Sequence, residues 1–296
     1  MRRVIIVNKL APGDVAVMTA TIESLHRAYP GEFLTDVDTT AMDIWQHNPW
    51  IVPGLSDAEV IEAEYPLIHR SNQLPVPFLE GYSRDLSGKL GVMIPMLVRR
   101  PVFYLSDDEQ KWMSQVEEKI GKRVPFWLIN AGIKNDYTAK SWPVEHYQRV
   151  VDSTRDIVWV QIGEAYHPRL RGVLDMCGKT DIRQLMRLVW HSRGGVGPCT
   201  FLMHLCAGFE KPYVCLSGGR EPVNWVTYAK QHTLHSIGAL DCCRERACWR
   251  SRVLPDRNGD DSVCEMPTPG EWRWSPKCMS MIEPAEVVSI VRRLQK

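Results

Sequence analysis

Apolar positions change their period along the chain in step with turn residues, and these changes mark out strands and helices. Arg3 to Asn8 is a short apolar run that predicts a buried strand. Val15, Met18, Ile22, Leu25 and Tyr29 then recur at spacings of three and four, the period of an amphipathic helix. A second strand is predicted at Phe33 to Val37. Strand, glycine-containing loop, helix and strand in that order open a parallel α/β unit. Residues 48–105 are weakly patterned and carry Pro49, Pro53, Pro66, Pro75, Pro77, Pro95 and Pro101, which predicts short elements and loops.

Ser106 is placed to cap a helix over Asp107 to Ile120, with Gly121 stopping it. A fresh α/β series then begins. Phe126 to Asn130 and Ile157 to Ile162 are apolar enough for central parallel strands, joined by a crossover helix over Val144 to Thr154. Ile182 to Trp190, Thr200 to Ala207 and Tyr213 to Leu216 continue the alternation. The restart divides the chain into an N-terminal unit (1–110), a C-terminal unit (120–238), a cysteine-rich segment (239–280) and a terminal stretch (281–296) holding an amphipathic helix over Pro284 to Gln295. The cysteine-rich segment has no clear period and reads as an appendage. A length of 296 residues with 44% apolar content suits two domains. With 36 Lys and Arg against 35 Asp and Glu, no global field draws the protein to nucleic acid or anionic lipid. The four-residue apolar run before Asn8 is too short for a secretory signal or a membrane span, so a cytoplasmic protein is expected.

Three loops carry candidate chemistry. Asn8-Lys9-Leu10-Ala11-Pro12-Gly13-Asp14 leads from a strand into a helix N-terminus, where amide groups and the dipole create positive potential. It lacks G-x-G-x-x-G, which counts against a dinucleotide enzyme. Asp14 is either a helix-capping carboxylate or a general base facing a cleft. Asn130-Ala131-Gly132 and Lys140-Ser141-Trp142-Pro143 lie between a strand end and the next helix, where open α/β sheets bind ligands. Lys140 can there neutralise a leaving diphosphate, against the alternative of a solvated surface lysine. In Gly197-Pro198-Cys199-Thr200-Phe201-Leu202-Met203-His204 a strand again meets a helix start, so Thr200 and the following amides can hold phosphate. His204 reads first as a satisfied, partly buried side chain.

In this order the loops resemble glycosyltransferase family 9, the ADP-heptose transferases. The resemblance rests on Gly13-Asp14 at the first helix, Lys140-x-Trp142-Pro143, Gly178-Lys179-Thr180-Asp181 with Leu185, and Gly197-x-x-Thr200-x-x-x-His204-Leu205. It covers roughly residues 3–235. It implies a GT-B enzyme, two Rossmann-like domains facing a cleft, with a nucleotide sugar held mainly by the C-terminal domain. Asp14 is then the catalytic base, and Lys140 and the Thr200 turn stabilise the departing diphosphate. The donor side gathers Gly13, Asn130, Lys140, Thr200, Met203, His204, Gly218 and Glu221. The transfer inverts the anomeric carbon, needs no divalent cation, and uses an ADP-linked sugar such as heptose. Two departures stand out: Ser217-Gly218-Gly219-Arg220-Glu221-Pro222 replaces the family's Gly-Pro-Thr-Asp-Pro-like loop, and the N-terminal half is short. The glycines permit close approach of a ligand, and Glu221 is either a binder of ribose or sugar hydroxyls or an exposed loop carboxylate. The acceptor is left open between lipopolysaccharide, a protein hydroxyl and a modified base in phage DNA. Other readings are a nucleotide-sugar-binding module without turnover and a metal-dependent protein whose cysteine segment binds nucleic acid.

Cys242, Cys243, Cys248, Cys264 and Cys278 crowd the C-terminal segment. Four thiolates can enclose one tetrahedral metal and staple a loop-rich segment, and both zinc and iron accept that set. Cys243, Cys248, Cys264 and Cys278 are the favoured ligands, with Cys242 as the substitute for Cys243; free or disulfide-bonded cysteines are the alternative. Some protein O-heptosyltransferases of the family are similar in carrying a four-cysteine iron site near the C-terminus, which implies a structural iron. Arg244, Arg246, Arg250 and Arg252 beside Trp249, Trp272 and Trp274 read as a solvated face around a small core, or as a surface for nucleic acid, sugar or phosphate.

Overall fold

The computed structural model describes residues 1–64, 67, 70, 72–74, 76–225, 227–255 and 262–295. Pro66 and Pro75 lie outside them. β1 (Arg2–Asn8) buries Val4 and Ile6 completely, and β2 (Phe33–Thr39) pairs with it in parallel. Between them runs α1 (Pro12–Ala28), with proline in its first turn, where the missing N–H costs nothing. Every α1 residue from Val15 to His26 is buried, more than one face, because α1 is sandwiched between its own sheet and other helices. β3 (Glu59–Glu62) completes a parallel sheet of order β2-β1-β3.

The weakly patterned stretch holds one full helix, α2 (Phe78–Leu90), ended by Gly91 at φ 67. The single helix expected over 107–120 is instead two, α3 (Asp107–Lys111) and α4 (Gln115–Ile120). Trp112 is extended, and Ser114 forms a second capping box with Glu117 after the one between Ser106 and Glu109. Ser114 thus starts a new helix where apolar spacing alone suggested continuity.

The larger sheet comprises β4 (Phe126–Ile129), β5 (Val158–Gln161), β6 (Leu174–Asp175), β7 (Gly195–Pro198), β8 (Tyr213–Gly218) and β9 (Gln231–His235). Its order is β6-β5-β4-β7-β8-β9, with every pairing parallel. The crossovers carry α5 (Val144–Asp152), α6 (Ile182–His191) and α7 (Phe201–Gly208). The order in which strands are added reverses between β4 and β7, the position at which doubly wound sheets open a ligand crevice beyond their carboxyl ends.

One hydrophobic core runs without a break from β1, α1 and α2 to α6, α7 and one face of the larger sheet. A second lies on the opposite face, where Tyr147 and Val150 of α5 meet Trp127, Trp159 and the last helix. After β9 the chain forms a small antiparallel pair, β10 (Pro267–Thr268) and β11 (Ser275–Pro276), then α8 (Lys277–Ser280) and α9 (Pro284–Leu294). The cysteine-rich segment is therefore no appendage: Cys278 and Met279 of α8 belong to the second core with Leu216 of β8. Among the described residues no helix is long and apolar enough to cross a membrane.

Arg183 of α6 ties the halves together. It is ion-paired with Glu109, donates to the Tyr104 carbonyl at 3.1 Å and reaches the Asp43 carbonyl at 3.3 Å. The Gly178-Lys179-Thr180-Asp181 stretch before it serves the helix start, since Asp181 makes a capping box with Gln184. Arg183→Met should strand the half-buried Glu109 and leave the stem volume filled, costing about 3 kcal/mol. Urea unfolding checks this, and a midpoint unchanged from wild type would show the tie to be inert.

Candidate functional site

The crevice is built from three strand-to-helix turns. At the end of β1, the buried Asn8 holds the turn from inside: its Oδ1 accepts from Leu10 N at 3.0 Å and its amide donates to Tyr82 Oη at 3.2 Å. The turn delivers Gly13 and Asp14 to the first turn of α1. A Cβ on Gly13 would lie 3.3 Å from His204 Cδ2, so a glycine lets α1 approach α7 this closely. The N-cap Ala11 has no side-chain group to cap α1, and the Asp14 carboxyl, three residues on, is hydrogen-bonded to the backbone of Asp14 and Ala11, so it also serves the helix start. Burial raises its carboxyl from 3.8 to about 6, although Lys140, nearby backbone amides and Lys134 all draw it down.

Asn130 and Thr200 face each other across the switch between β4 and β7, Asn130 Nδ2 lying 3.3 Å from Thr200 Oγ1. Asn130 Oδ1 also accepts from Gly132 N at 3.2 Å. Thr200 is the N-cap residue of α7 by backbone conformation, yet its hydroxyl makes no cap bond. The α7 first-turn amides are left without a side-chain acceptor, the condition under which a helix start takes an anion.

Lys140 lies behind this turn. Its ammonium donates to the Cys199 carbonyl at 3.0 Å and pairs with Glu221 Oε1 at 2.8 Å, and Arg220 pairs with the same oxygen. Glu221 is 5% exposed, so the open-loop alternative for this carboxylate fails. Burial works against both charges, but Glu221 keeps Lys140 above its ordinary pKa, and Lys140 and Arg220 keep Glu221 below its own. The pair is fully ionised.

Other expected residues have different surroundings. His204 is buried, with Nδ1 2.7 Å from Tyr228 Oη and its ring edge on Phe78, and burial followed by Lys140 lowers it to about 3. It is a neutral packing group joining α1, α2 and α7. Met203 is wholly buried, its sulfur 3.6 Å from Cys215 Sγ, which assigns it to the core rather than to the crevice wall. Gly218 and Gly219 are approached by protein: a Cβ on Gly218, at φ 58, would meet Met279 Sδ at 2.6 Å, and one on Gly219 would meet Cys243 Sγ at 2.6 Å. Their lack of side chains admits the cysteine segment.

Cys242, Cys243, Cys248, Cys264 and Cys278 line one small cavity with Gly219. Five thiols from distant sequence positions converge there, a soft donor set in excess of what a tetrahedral thiophilic ion requires. Cys243 is the more buried of the adjacent pair. Among the described residues, however, no group of three or more His, Cys, Asp or Glu side chains stands in metal-holding positions. Three of the four arginines nearby are engaged: Arg244 pairs with Asp241, Arg250 with Glu265 at 2.6 Å, and Arg252 reaches the Asn135 carbonyl at 3.3 Å. That favours a solvated face over a nucleic-acid surface.

Sequence reading missed Lys134, in the loop after β4, whose charge acts on Asp14. It also missed Arg220, and Tyr82, which burial and then Asp14 hold well above the ordinary tyrosine range. A lysine in a loop beyond a central strand was a usable signal. Arg220 and Tyr82 matter only through tertiary contacts.

A doubly wound parallel sheet packed with a second parallel sheet defines a GT-B-like α/β protein. The family model for glycosyltransferase family 9 (heptosyltransferase) matches residues 94–251, more than half of the chain, and the chain belongs to that family. No curated protein matches it in sequence. Among solved structures it is similar to the glycosyl transferase family 9 protein from Veillonella parvula DSM 2008 (TM-score 0.68, 13% identity, covering 99% of this chain and 97% of that one). It is similar to E. coli ADP-heptose LPS heptosyltransferase II (TM-score 0.61, 15% identity, 99% and 98%). It also resembles the iron-containing dodecameric glycosyltransferase TibC from enterotoxigenic E. coli H10407 (TM-score 0.68, 15% identity, 99% and 76%). At these identities the likeness establishes the mixed α/β fold.

Asp14 yields a stability test. Its folded pKa of about 6 exceeds its ordinary 3.8, so its contribution is favourable only while protonated, and is lost as pH rises through 6. Asp14→Asn should stabilise the protein at pH 7.5 by about 1–3 kcal/mol, with the gain vanishing near pH 4. Unfolding curves at both pH values check it; equal stability at pH 7.5 would contradict a buried carboxylate.

Proposed function

We propose that this glycosyltransferase transfers a sugar from an ADP-linked donor, heptose being the leading candidate, to a hydroxyl acceptor with inversion and without a catalytic divalent cation. The observation that carries the reading is the opposition at one crevice: the Asp14 carboxylate, lifted to about 6, stands against the Lys140 charge and the uncapped start of α7. The structures of ADP-heptose LPS heptosyltransferase II and of TibC in complex with ADP-D-β-D-heptose support the donor choice.

In this mechanism Asp14 accepts the proton of the acceptor hydroxyl as its oxygen attacks the anomeric carbon. A carboxylate near 6 is a stronger base than an exposed one yet remains ionised at neutral pH. The bond to the diphosphate breaks on the opposite face, which inverts the centre. Lys140, with Lys134 and the α7 amides, takes up the negative charge gathered on the leaving oxygen, and Asn130 and Thr200 place it. Protein charge thus fills the part a divalent ion plays elsewhere. Lipopolysaccharide, protein Ser or Thr, and a modified DNA base remain the acceptor classes. The cysteine cavity would hold a structural iron or zinc through Cys243, Cys248, Cys264 and Cys278. Bound metal would fasten the loops around it, and no step of transfer passes through it.

ADP should raise the melting temperature of wild type and of Asp14→Asn alike, while transfer or donor hydrolysis falls about 10²–10⁴-fold in the variant. In wild type kcat/KM should fall tenfold per pH unit below about 6, since the base must be ionised. A flat acid limb, or full turnover in Asp14→Asn, would remove Asp14 from the mechanism. For the cysteines, elemental analysis of purified protein should return about one equivalent of iron or zinc. Cys248→Ser should lose that metal, and a metal-free wild-type protein of unchanged stability would defeat the assignment.

A further inference from the structure

The proposed donor site leaves one buried group without a task. Glu221 is 5% exposed, contacts no open part of the crevice through a free side chain, and is already committed to two cations and to the Cys199 thiol. Its neighbour Arg220 is equally buried and fixed from several sides. Arg220 Nε donates to the Arg250 carbonyl at 2.6 Å, and its guanidinium lies over the rings of Trp249 at 5.3 Å and Tyr137 at 5.4 Å. The backbone of the cysteine segment grips the same loop, Cys248 N donating to Gly219 O at 3.1 Å and Trp249 N to Arg220 O at 3.0 Å. It also grips the loop bearing Lys140: Ala139 N donates to Ser251 O at 3.0 Å and Val253 N to Thr138 Oγ1 at 2.9 Å. Residues 248–253 therefore span both members of the Lys140–Glu221 pair.

We propose that Glu221 is a positioning residue of the transfer site: clamped by Arg220 to the backbone of residues 248–250, it holds the Lys140 ammonium charged and aimed at the donor diphosphate. This rests on the reading of Lys140 given above and adds its means of control. A lysine enclosed this deeply sheds its proton readily unless an anion is supplied. The groups facing Lys140 are Glu221 and Arg220 beyond β8, Cys199 at the end of β7, His204 on α7, Asp14 on α1 and the Tyr137 ring at 5.8 Å. Cys199 is held un-ionised by burial and His204 is neutral, while Asp14 is the group that chemistry must protonate. Glu221 is the anion of that set in direct contact with Lys140. A diphosphate arriving at Lys140 then meets a cation already paid for and fixed in direction, and Glu221 shares it without leaving.

The test is ADP affinity by calorimetry at pH 7 and pH 9 on the full chain. Wild type should bind with the same Kd at both values. In Glu221→Gln burial and Arg220 push Lys140 downward, and the one anion left facing it, Asp14, acts only across the crevice, so Kd should weaken roughly tenfold as pH rises to 9. Lys140→Arg added to Glu221→Gln should restore a pH-independent Kd, because a guanidinium stays charged. Glu221→Asp keeps the anion but withdraws it, so ADP should bind more weakly at both pH values with no pH trend; this variant also serves if Glu221→Gln does not fold. Glu221→Gln with wild-type Kd at both values, or a pH trend that Lys140→Arg leaves in place, would overturn the proposal. Wild type that fails to bind ADP at all would instead strike the donor assignment itself.

Discussion

The contact between the first turn of α1 and α7 sets everything else at the crevice. A glycine at position 13 brings the helix start to within van der Waals distance of the His204 ring, and His204 is anchored behind by Tyr228 and flanked by Phe78. Phe78 in turn stacks on Trp225 at 5.3 Å, so the closure is made by aromatic faces from α2 and from the turn after β8. Such packing is directional and dense, and it fixes the spacing between two walls better than exposed ion pairs would. A side chain on residue 13 would separate the carboxylate from the cations opposite. That the histidine is neutral fits this role: a charged imidazole in the same enclosure would add a cation beside Lys140 and loosen the joint.

Two carboxylates sit near one ammonium, and their surroundings push them to opposite protonation behaviour. Glu221 touches Lys140 and Arg220 directly and is held ionised; Asp14 feels Lys140 only across the crevice, so burial dominates and raises it. Pairs of titratable groups driven apart in this way separate structural from chemical duty. The carboxylate that is better satisfied cannot accept a proton at neutral pH. The less satisfied one can, and it is the one on the opposite wall.

Much of this was legible in the chain. The strands β1, β4, β5 and β8 are continuous apolar runs, and α1, α5, α6 and α9 carry the helical period, so their positions agree with expectation to within a few residues. The glycine and hydroxyl residues beyond β1, β4 and β7 pointed to the strand ends, where a parallel sheet meets ligands. What stayed hidden depends on three dimensions. α2 lies in a proline-rich stretch whose residues gain their order from packing on α1, and Ser114 breaks a helix that apolar spacing would have continued. Met203 and His204 share a motif with Thr200 but point into packing, since adjacent helical residues face different directions. Glu221 stood open between a sugar binder and an exposed loop carboxylate because nothing local announces that Lys140, eighty-one positions earlier, will close over it.

The departure of the Ser217–Pro222 loop from its family pattern and the presence of the cysteine segment have one physical explanation. The loop follows β8 directly, and its two glycines are pressed by Met279 and Cys243 at distances that a Cβ would not fit without a shift. A bulkier loop, such as one built around proline and threonine, would expel the segment; the segment, once seated, closes over Arg220 and brings its backbone to Gly219 and Arg220. Loop and cysteines are thus parts of one assembly, each accounting for the other. The assembly buries charges that would be unstable in isolation, and it can do so because its backbone carbonyl at Arg250 and the rings of Trp249 and Tyr137 solvate the guanidinium in place of water. A segment first recognised for its sulfur thereby acts through its main chain and its aromatic residues on the cationic wall that the proposed transfer uses.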